Sequence, residues 1–373
     1  MPPAPLPAPT TDEEAAPGSV ATPHPDYSQV RLHVVTGKGG TGKTTVAAAL
    51  ALALAGQGRR VLLAEVEGRQ GISQTFDVPP LPATETVVAG ADHGGVVVGL
   101  AVDAKTALLE YLQLFYKLGR AGGVLERFGA IDFATTIAPG VRDVLLIGRV
   151  YEASRRRVDS KHHRGSRPEE LAYDAIVLDA PPTGRIPRFL SVGGEIAGLA
   201  KMGPIRSQAD SVTGLIHSPA TCVHLVTLLE EMPVQETADA VGQLRSMGMR
   251  VGAVVINQAR SGLLAEQLDD LDDLDDSSSG PHSGTDGDPD DLDPATLAAD
   301  LAAAGLSPTP ELVAGLLEQV REHVERVELE DEQLHVLEDL GLPLVTVPYL
   351  VDGVDLDAIC EIAEMLAEQG LVQ

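Results

Sequence analysis

Residues 37–44 read Gly-Lys-Gly-Gly-Thr-Gly-Lys-Thr, between an apolar run at 32–35 and an alanine-rich stretch that continues to residue 55. A strand that ends in such a turn and passes directly into a helix can wrap its backbone N–H groups around a phosphate chain. Lys43 then neutralises the β- and γ-phosphates, the Thr44 hydroxyl can ligate Mg²⁺, and the helix N-terminus adds its dipole. The strand–loop–helix setting predicts a nucleoside triphosphate site built on Gly37, Lys38, Gly39, Gly40, Thr41, Gly42, Lys43 and Thr44.

Further β-branched runs recur at 61–66, 96–102, 175–178, 223–228, 251–256 and 344–347, mostly separated by helical patterns. Short buried runs alternating with helices predict an α/β fold. Its centre would be a doubly wound, mostly parallel sheet with ligands at the carboxyl ends of the strands. Two inserts, about 104–170 and 190–220, carry apolar residues at helical spacing and predict a helical lobe beside a P-loop core.

Residues 1–29 are Pro- and Ala-rich without a basic start or an apolar segment, so they read as a disordered tail preceding a single domain at 30–373. Residues 267–294 read as a disordered acidic loop, with eleven aspartates and no Lys or Arg in 269–293. The net charge of −28 argues against nucleic acid as a partner and against an anionic membrane face. The longest apolar stretch, 46–55, is too short to span a bilayer, so a soluble cytoplasmic protein is expected. Cys222 and Cys360 are too few for a disulfide framework or a four-thiolate zinc site and read as core thiols. The basic stretch at 155–164 reads as a solvated turn.

Three elements narrow the chemistry. Lys38 is a second lysine within the glycine loop, and added positive charge there can stabilise charge developing during phosphoryl transfer. Glu65 and Glu67 close the run at 61–66, where a carboxylate can orient an attacking water or hold a Mg²⁺-bound one. Asp179 ends another apolar strand and is followed by Ala-Pro-Pro-Thr-Gly184. That pattern is a Walker B-like Asp, binding Mg²⁺ through water, with a switch loop that can sense the γ-phosphate through the Gly184 N–H.

Together these motifs resemble the ArsA-type ATPases, which include arsenite-efflux pump ATPases and ATPases that target tail-anchored membrane proteins. The segment 229–237 (Leu-Glu-Glu-Met-Pro-Val-Gln-Glu-Thr), the Ile256-Asn257-Gln258 strand end and the Val347-Pro348 strand end add to the likeness, which is greatest to the actinobacterial branch. The resemblance implies a Mg²⁺-dependent ATPase in which Lys38 reaches a nucleotide held by a second subunit. It makes Lys43 the phosphate lysine, Thr44 the Mg²⁺ ligand and Asp179 the switch-II aspartate. Thr45 would lie on the α-phosphate side and Asn257 at the adenine, with Pro348 also among the nucleotide-binding residues. Glu67 takes the place of the usual water-activating Asp, Gln70 ends a switch that usually reads Asp-Pro-Ala-His, and Arg185 replaces a usual His.

The arsenite-binding cysteines and the zinc-bridging Cys-x-x-Cys of the family have no counterpart, so neither an arsenite nor a zinc site is expected. The implied role is a nucleotide-gated dimeric switch, homo- or heterodimeric with a paralogous ATPase, that handles a protein or membrane-protein client. Two alternatives are a weakly active or non-catalytic ATP-binding subunit of a heterodimer and a MinD/ParA-like positioning ATPase.

Overall fold

The computed structural model describes residues 26–66, 70–103, 106–107, 139–158, 171–191, 204–260, 293–351 and 353–372. Among them eight strands form one sheet: β1 (Leu32–Gly37), β2 (Arg60–Val66), β3 (Thr86–Gly90), β4 (Val96–Val102), β5 (Ala175–Asp179), β6 (Thr221–Thr227), β7 (Val251–Ala259) and β8 (Leu344–Pro348). Their order is β3-β4-β2-β5-β1-β6-β7-β8, and every neighbouring pair is parallel except β3 with β4. The described helices are α1 (Lys43–Gly56), α2 (Gly71–Thr75), α3 (Pro139–Arg155), α4 (Ile186–Leu190), α5 (Pro204–Ile216), α6 (Glu231–Ser246), α7 (Pro294–Ala303), α8 (Pro310–Glu338) and α9 (Leu356–Glu368).

Helices cover both sheet faces, which is why the central strands read as unbroken apolar runs. Alternate side chains serve the two layers. Val35, Val61 and Leu63 pack with α1 and α9, while Val34, Leu62 and Ala64 pack with α3, α4, α5 and α6. The Ala- and Leu-rich α1 is buried around most of its circumference, as an all-apolar helix must be. Strand order reverses at β1, where the chain, having built β2 to β5 on one side, crosses to β6 on the other. In doubly wound sheets that crevice is the ligand site.

β3 is not legible as a strand in the sequence. It is a five-residue antiparallel edge whose side chains are largely exposed, so it lacks a buried strand's apolar run. Of the expected helical lobe, α3 and α5 are described and pack on each other, and most of the remainder lies outside the described residues. So do residues 1–25 of the expected tail and most of the acidic loop. The tail boundary moves: Tyr27 is 4 % exposed, its ring against His224 and beneath the Arg250 guanidinium.

The basic turn is also more structured than its charge suggests. Arg156 forms an ion pair with Glu85 and lies over the Tyr173 ring, and Tyr173 donates its hydroxyl to the other Glu85 oxygen. Cys360 departs from its expected burial. α9 turns Ile359, Ile362 and Leu366 onto the core, which leaves position 360 on the outer face. The same packing commits the apolar face of this C-terminal helix to α1 rather than to a membrane. Among the described residues no helix is long and apolar enough to cross a bilayer.

One polar pair is sealed in the sheet. His33 Nδ1 and His224 Nε2 are 3.2 Å apart, with the rings stacked, and His224 Nδ1 accepts the Ala253 N–H. His224 Nδ1 therefore carries no proton, so its Nε2–H donates to His33. Burial pushes His224 down to about 4 and holds His33 well below the usual histidine range, where the neighbouring imidazole adds to the effect. Above about pH 6.5 both rings are neutral in the folded and unfolded chains. As pH falls below that value the unfolded chain takes up protons that the folded chain refuses, so stability falls towards pH 4. The expected loss from His224 alone is about 3 kcal/mol over this window. Urea titrations at pH 7.5 and pH 5 should show about 2 kcal/mol of it, and His33→Val should flatten the acid limb relative to wild type.

Candidate functional site

β1 delivers the glycine loop into the crevice at close quarters. A Cβ on Gly37 would overlap the Val226 carbonyl oxygen of β6, and one on Gly42 would overlap the Asn257 amide nitrogen. Gly40 and Gly42 hold φ at 94° and 84°, the left-handed region that glycine enters without strain. The loop closes on the Lys38 carbonyl, which accepts from Thr41 Oγ1 at 3.0 Å and from Lys43 Nζ at 2.9 Å. Gly39 and Gly40 form its exposed apex.

Thr44 Oγ1 donates to Asp179 Oδ2 at 2.6 Å, joining the start of α1 to the end of β5. Asp179 pairs in register with Glu65 of β2, so both carboxylates leave the same sheet face. Gly40, Gly42, Lys43, Thr44, Thr45, Glu65 and Asp179 line one cavity of about 310 Å³, together with Gly71 and Pro182. That volume lies at the small end of ligand pockets. The hydroxyl and carboxylate oxygens supply the hard donors that Mg²⁺ prefers, and the left-handed glycines open a backbone cradle beside them. The residues therefore fit a metal–triphosphate pair. Thr44 and Asp179 would hold the metal side, and Lys43 with the loop N–H groups the phosphates. A larger cavity of about 630 Å³ opens beside Gln258, Arg260, Arg326 and Glu330 and contains no residue of the glycine loop.

Residues 70–81 are fastened by Glu65 and Gln70, through bonds that the sequence reading did not assign to them. Glu65, 3 % exposed, accepts the Gln70 N–H at 2.7 Å and the Ile72 N–H at 3.0 Å, tying down the start of α2. Gln70, at φ 57°, in turn brackets Leu81: its Oε1 accepts the Leu81 N–H at 2.7 Å and its Nε2 donates to the Leu81 carbonyl at 3.2 Å. Glu67 lies outside the described residues.

The loop after β5 is stitched to β1. Ala180 N–H donates to the Val35 carbonyl at 2.9 Å, Thr36 Oγ1 to the Pro181 carbonyl at 2.7 Å, and Thr183 N–H to the Gly37 carbonyl at 3.2 Å. Gly184 follows, exposed, and Arg185 stands at the N-cap position of α4. Lys38 turns away from the cavity. Its ammonium lies 3.2 Å from Glu236 Oε1 of α6, while Thr183 Oγ1 donates to Glu236 Oε2 at 2.9 Å. The Thr183 hydroxyl, and secondarily Lys38, hold the Glu236 carboxyl below its usual range. Glu236 stands inside the 229–237 segment, but its contacts come only from the placement of α6.

Asn257 reaches the loop from β7, its Nδ2 donating to the Thr41 carbonyl at 2.9 Å. The strand pairing shifts register between Ile256 and Ala259, where Gln258 takes φ 57°. Bulges of this kind re-aim neighbouring side chains. Pro348 ends β8 opposite Ala259 and does not line the phosphate cavity.

Residues 30–219 match the model of the anion-transporting ATPase family. The chain is 47 % identical over 344 residues to ATPase BagA of Mycobacterium tuberculosis, covering 92 % of this chain and 94 % of that protein. A candidate ATPase of Mycobacterium bovis gives the same identity and coverage. A candidate arsenical pump-driving ATPase of Chlorobaculum tepidum is 26 % identical over 266 residues, 61 % of each chain.

In this geometry Asn257 acts by propping the loop through Thr41. Asn257→Ala strands a buried carbonyl, at a cost of about 1–3 kcal/mol. Calorimetry should therefore show inorganic tripolyphosphate and ATP weakened by a similar factor, about 5- to 150-fold. A loss confined to ATP would show that the amide serves the base instead.

Proposed function

The chain belongs to the anion-transporting ATPase family, and from that membership we propose that it binds Mg·ATP at Gly37–Thr45 and hydrolyses it as a dimeric switch. The observation that carries this reading is the 2.6 Å contact between Thr44 and Asp179, which joins the phosphate loop to the switch strand beside the Lys43 cavity. Bound Mg²⁺ would neutralise charge on the β- and γ-phosphate oxygens as the terminal phosphoryl group is transferred to water. Lys43 exchanges the Lys38 carbonyl for phosphate oxygen. Gly184, at the turn of the loop stitched to β1, offers its N–H to the terminal phosphate. Glu67 orients the attacking water. A Glu there is one methylene longer than the family's usual Asp, and a displacement of about 1 Å can cost about 10²-fold, so turnover is slow.

Lys38 supplies the intersubunit charge, reaching the nucleotide of the opposing subunit once two molecules close face to face. Closure and release alter the surface formed by the helical segments beside β5, where a protein or membrane-protein client is handled. This reading gives arsenite no role as effector. The two thiols lie apart, Cys222 buried in β6 and Cys360 on the outer face of α9, whereas soft metal centres call for clustered thiolates. The Glu67 and Arg185 departures favour a second reading, in which a paralogous ATPase completes a heterodimer; phosphate release by this chain alone or only with that partner separates the two.

Lys38→Ala is expected to bind ATP within about 2-fold of wild type while losing ATP-dependent dimerisation, and its turnover should fall on the order of 10³-fold, the scale of a trans-acting cation. Sedimentation velocity and single-turnover phosphate release measure both. Wild-type dimerisation and turnover in this variant would sink the two-subunit model.

A further inference from the structure

Lys38 is held by its own subunit. Glu236 spends one carboxylate oxygen on the Lys38 ammonium, at 3.2 Å, and the other on the Thr183 hydroxyl, at 2.9 Å. Thr183 belongs to the loop after Asp179, and its N–H is bonded to the Gly37 carbonyl, one residue before Lys38. One side chain of α6 thus touches the intersubunit lysine and the switch loop at once. Thr183 is 4 % exposed, so the hydroxyl end is firmly seated. The Lys38 and Glu236 side chains are 29 % and 36 % exposed, so the lysine end is a partly solvated ion pair of modest strength. A strong anchor on the switch side and a weak, breakable bond on the lysine side are the properties of a latch.

We propose that Glu236 is a positioning residue that restrains Lys38 within its own subunit and makes its release depend on the loop that carries Thr183. This rests on the reading of Lys38 as the lysine that crosses to a second nucleotide. A lysine left free in the nucleotide-free chain could engage any anion at the surface. Paired with Glu236, it moves only when something offers more than one carboxylate does, as the polyphosphate of an opposing subunit would. A shift of the switch loop that draws Thr183 from Gly37 carries the Glu236 carboxylate with it and loosens the lysine. Nucleotide occupancy in one subunit thereby bears on the readiness of its lysine to reach the other.

The restraint is read directly from the reactivity of the Lys38 amine in the nucleotide-free full-length chain. Trace acetylation with acetic anhydride, quantified by mass spectrometry and normalised to a small amine in the same tube, reports how often the ammonium is unpaired and unprotonated. Glu236→Gln keeps the shape and an acceptor for Thr183 but removes the charge. It should speed labelling of Lys38 about 3-fold, with an unchanged melting temperature. Thr183→Val should give a smaller increase. Raising the salt concentration should speed the wild-type reaction and leave the Glu236→Gln reaction unchanged. Equal labelling rates in wild type and Glu236→Gln would overturn the latch. Sedimentation with a non-hydrolysable ATP analogue then separates the two ideas. A latched Lys38 predicts that Glu236→Gln dimerises at lower analogue concentration. If labelling responds but neither protein dimerises, the latch stands and the two-subunit function fails.

Discussion

β1 pairs in parallel with β5 on one side and β6 on the other, Val35 lying opposite Asp179 and opposite His224, and the nucleotide end of the molecule hangs from that double pairing. The register with β5 sets the level at which Asp179 emerges, within hydrogen-bond reach of Thr44 one turn into the site. The register with β6 brings the Val226 carbonyl against Gly37 so closely that no side chain could stand there. Strands buried on both faces tolerate little slippage, because a one-residue shift would exchange the two apolar layers. The geometry of the phosphate loop is therefore a consequence of core packing far more than of the loop's own sequence.

A second set of contacts runs outward from the same point. Glu65 leaves β2 beside Asp179 and holds the N–H groups that begin α2; Gln70 grips Leu81; and a few residues on, Glu85 receives both Arg156 and Tyr173. Residues 70–85 are thus fixed at both ends, by Glu65 at the cavity and by Arg156 and Tyr173 beyond α3. Each fastening is a side chain bonded to backbone, a hydroxyl bonded to a carboxylate or a partly buried ion pair, the kinds whose loss leaves an expensive unpaired group. On the opposite flank Glu236 does the corresponding work for the loop after β5.

The P-loop, its strand and its helix were legible because the motif is local: eight consecutive residues identify it, although packing sets its geometry. The central strands were legible because burial on both faces writes an unbroken apolar run, and Asp179 because it terminates one of them. β3 was not, since an exposed antiparallel edge has no such run to show. Tyr27 was absorbed into a Pro/Ala-rich tail because the hollow it fills is made by His224 and Arg250, far along the chain. The same holds for the site. Asn257 was named through the family resemblance, as a contact to the adenine, yet its bond to Thr41 depends on a bulge that composition does not record. Glu236 is one glutamate among many in an acidic chain, and only the packing of α6 against the switch loop distinguishes it. Motifs announce groups that meet a ligand; groups that meet those groups emerge from tertiary structure.

The need for a second subunit in catalysis is measured most directly by phosphate release per subunit as a function of protein concentration at saturating Mg·ATP. A lysine acting across an interface predicts that specific activity climbs with concentration and levels off once the dimer is fully populated, the half-maximum coinciding with the dimer dissociation constant from sedimentation. Specific activity that stays constant down to concentrations at which the protein is wholly monomeric would contradict it.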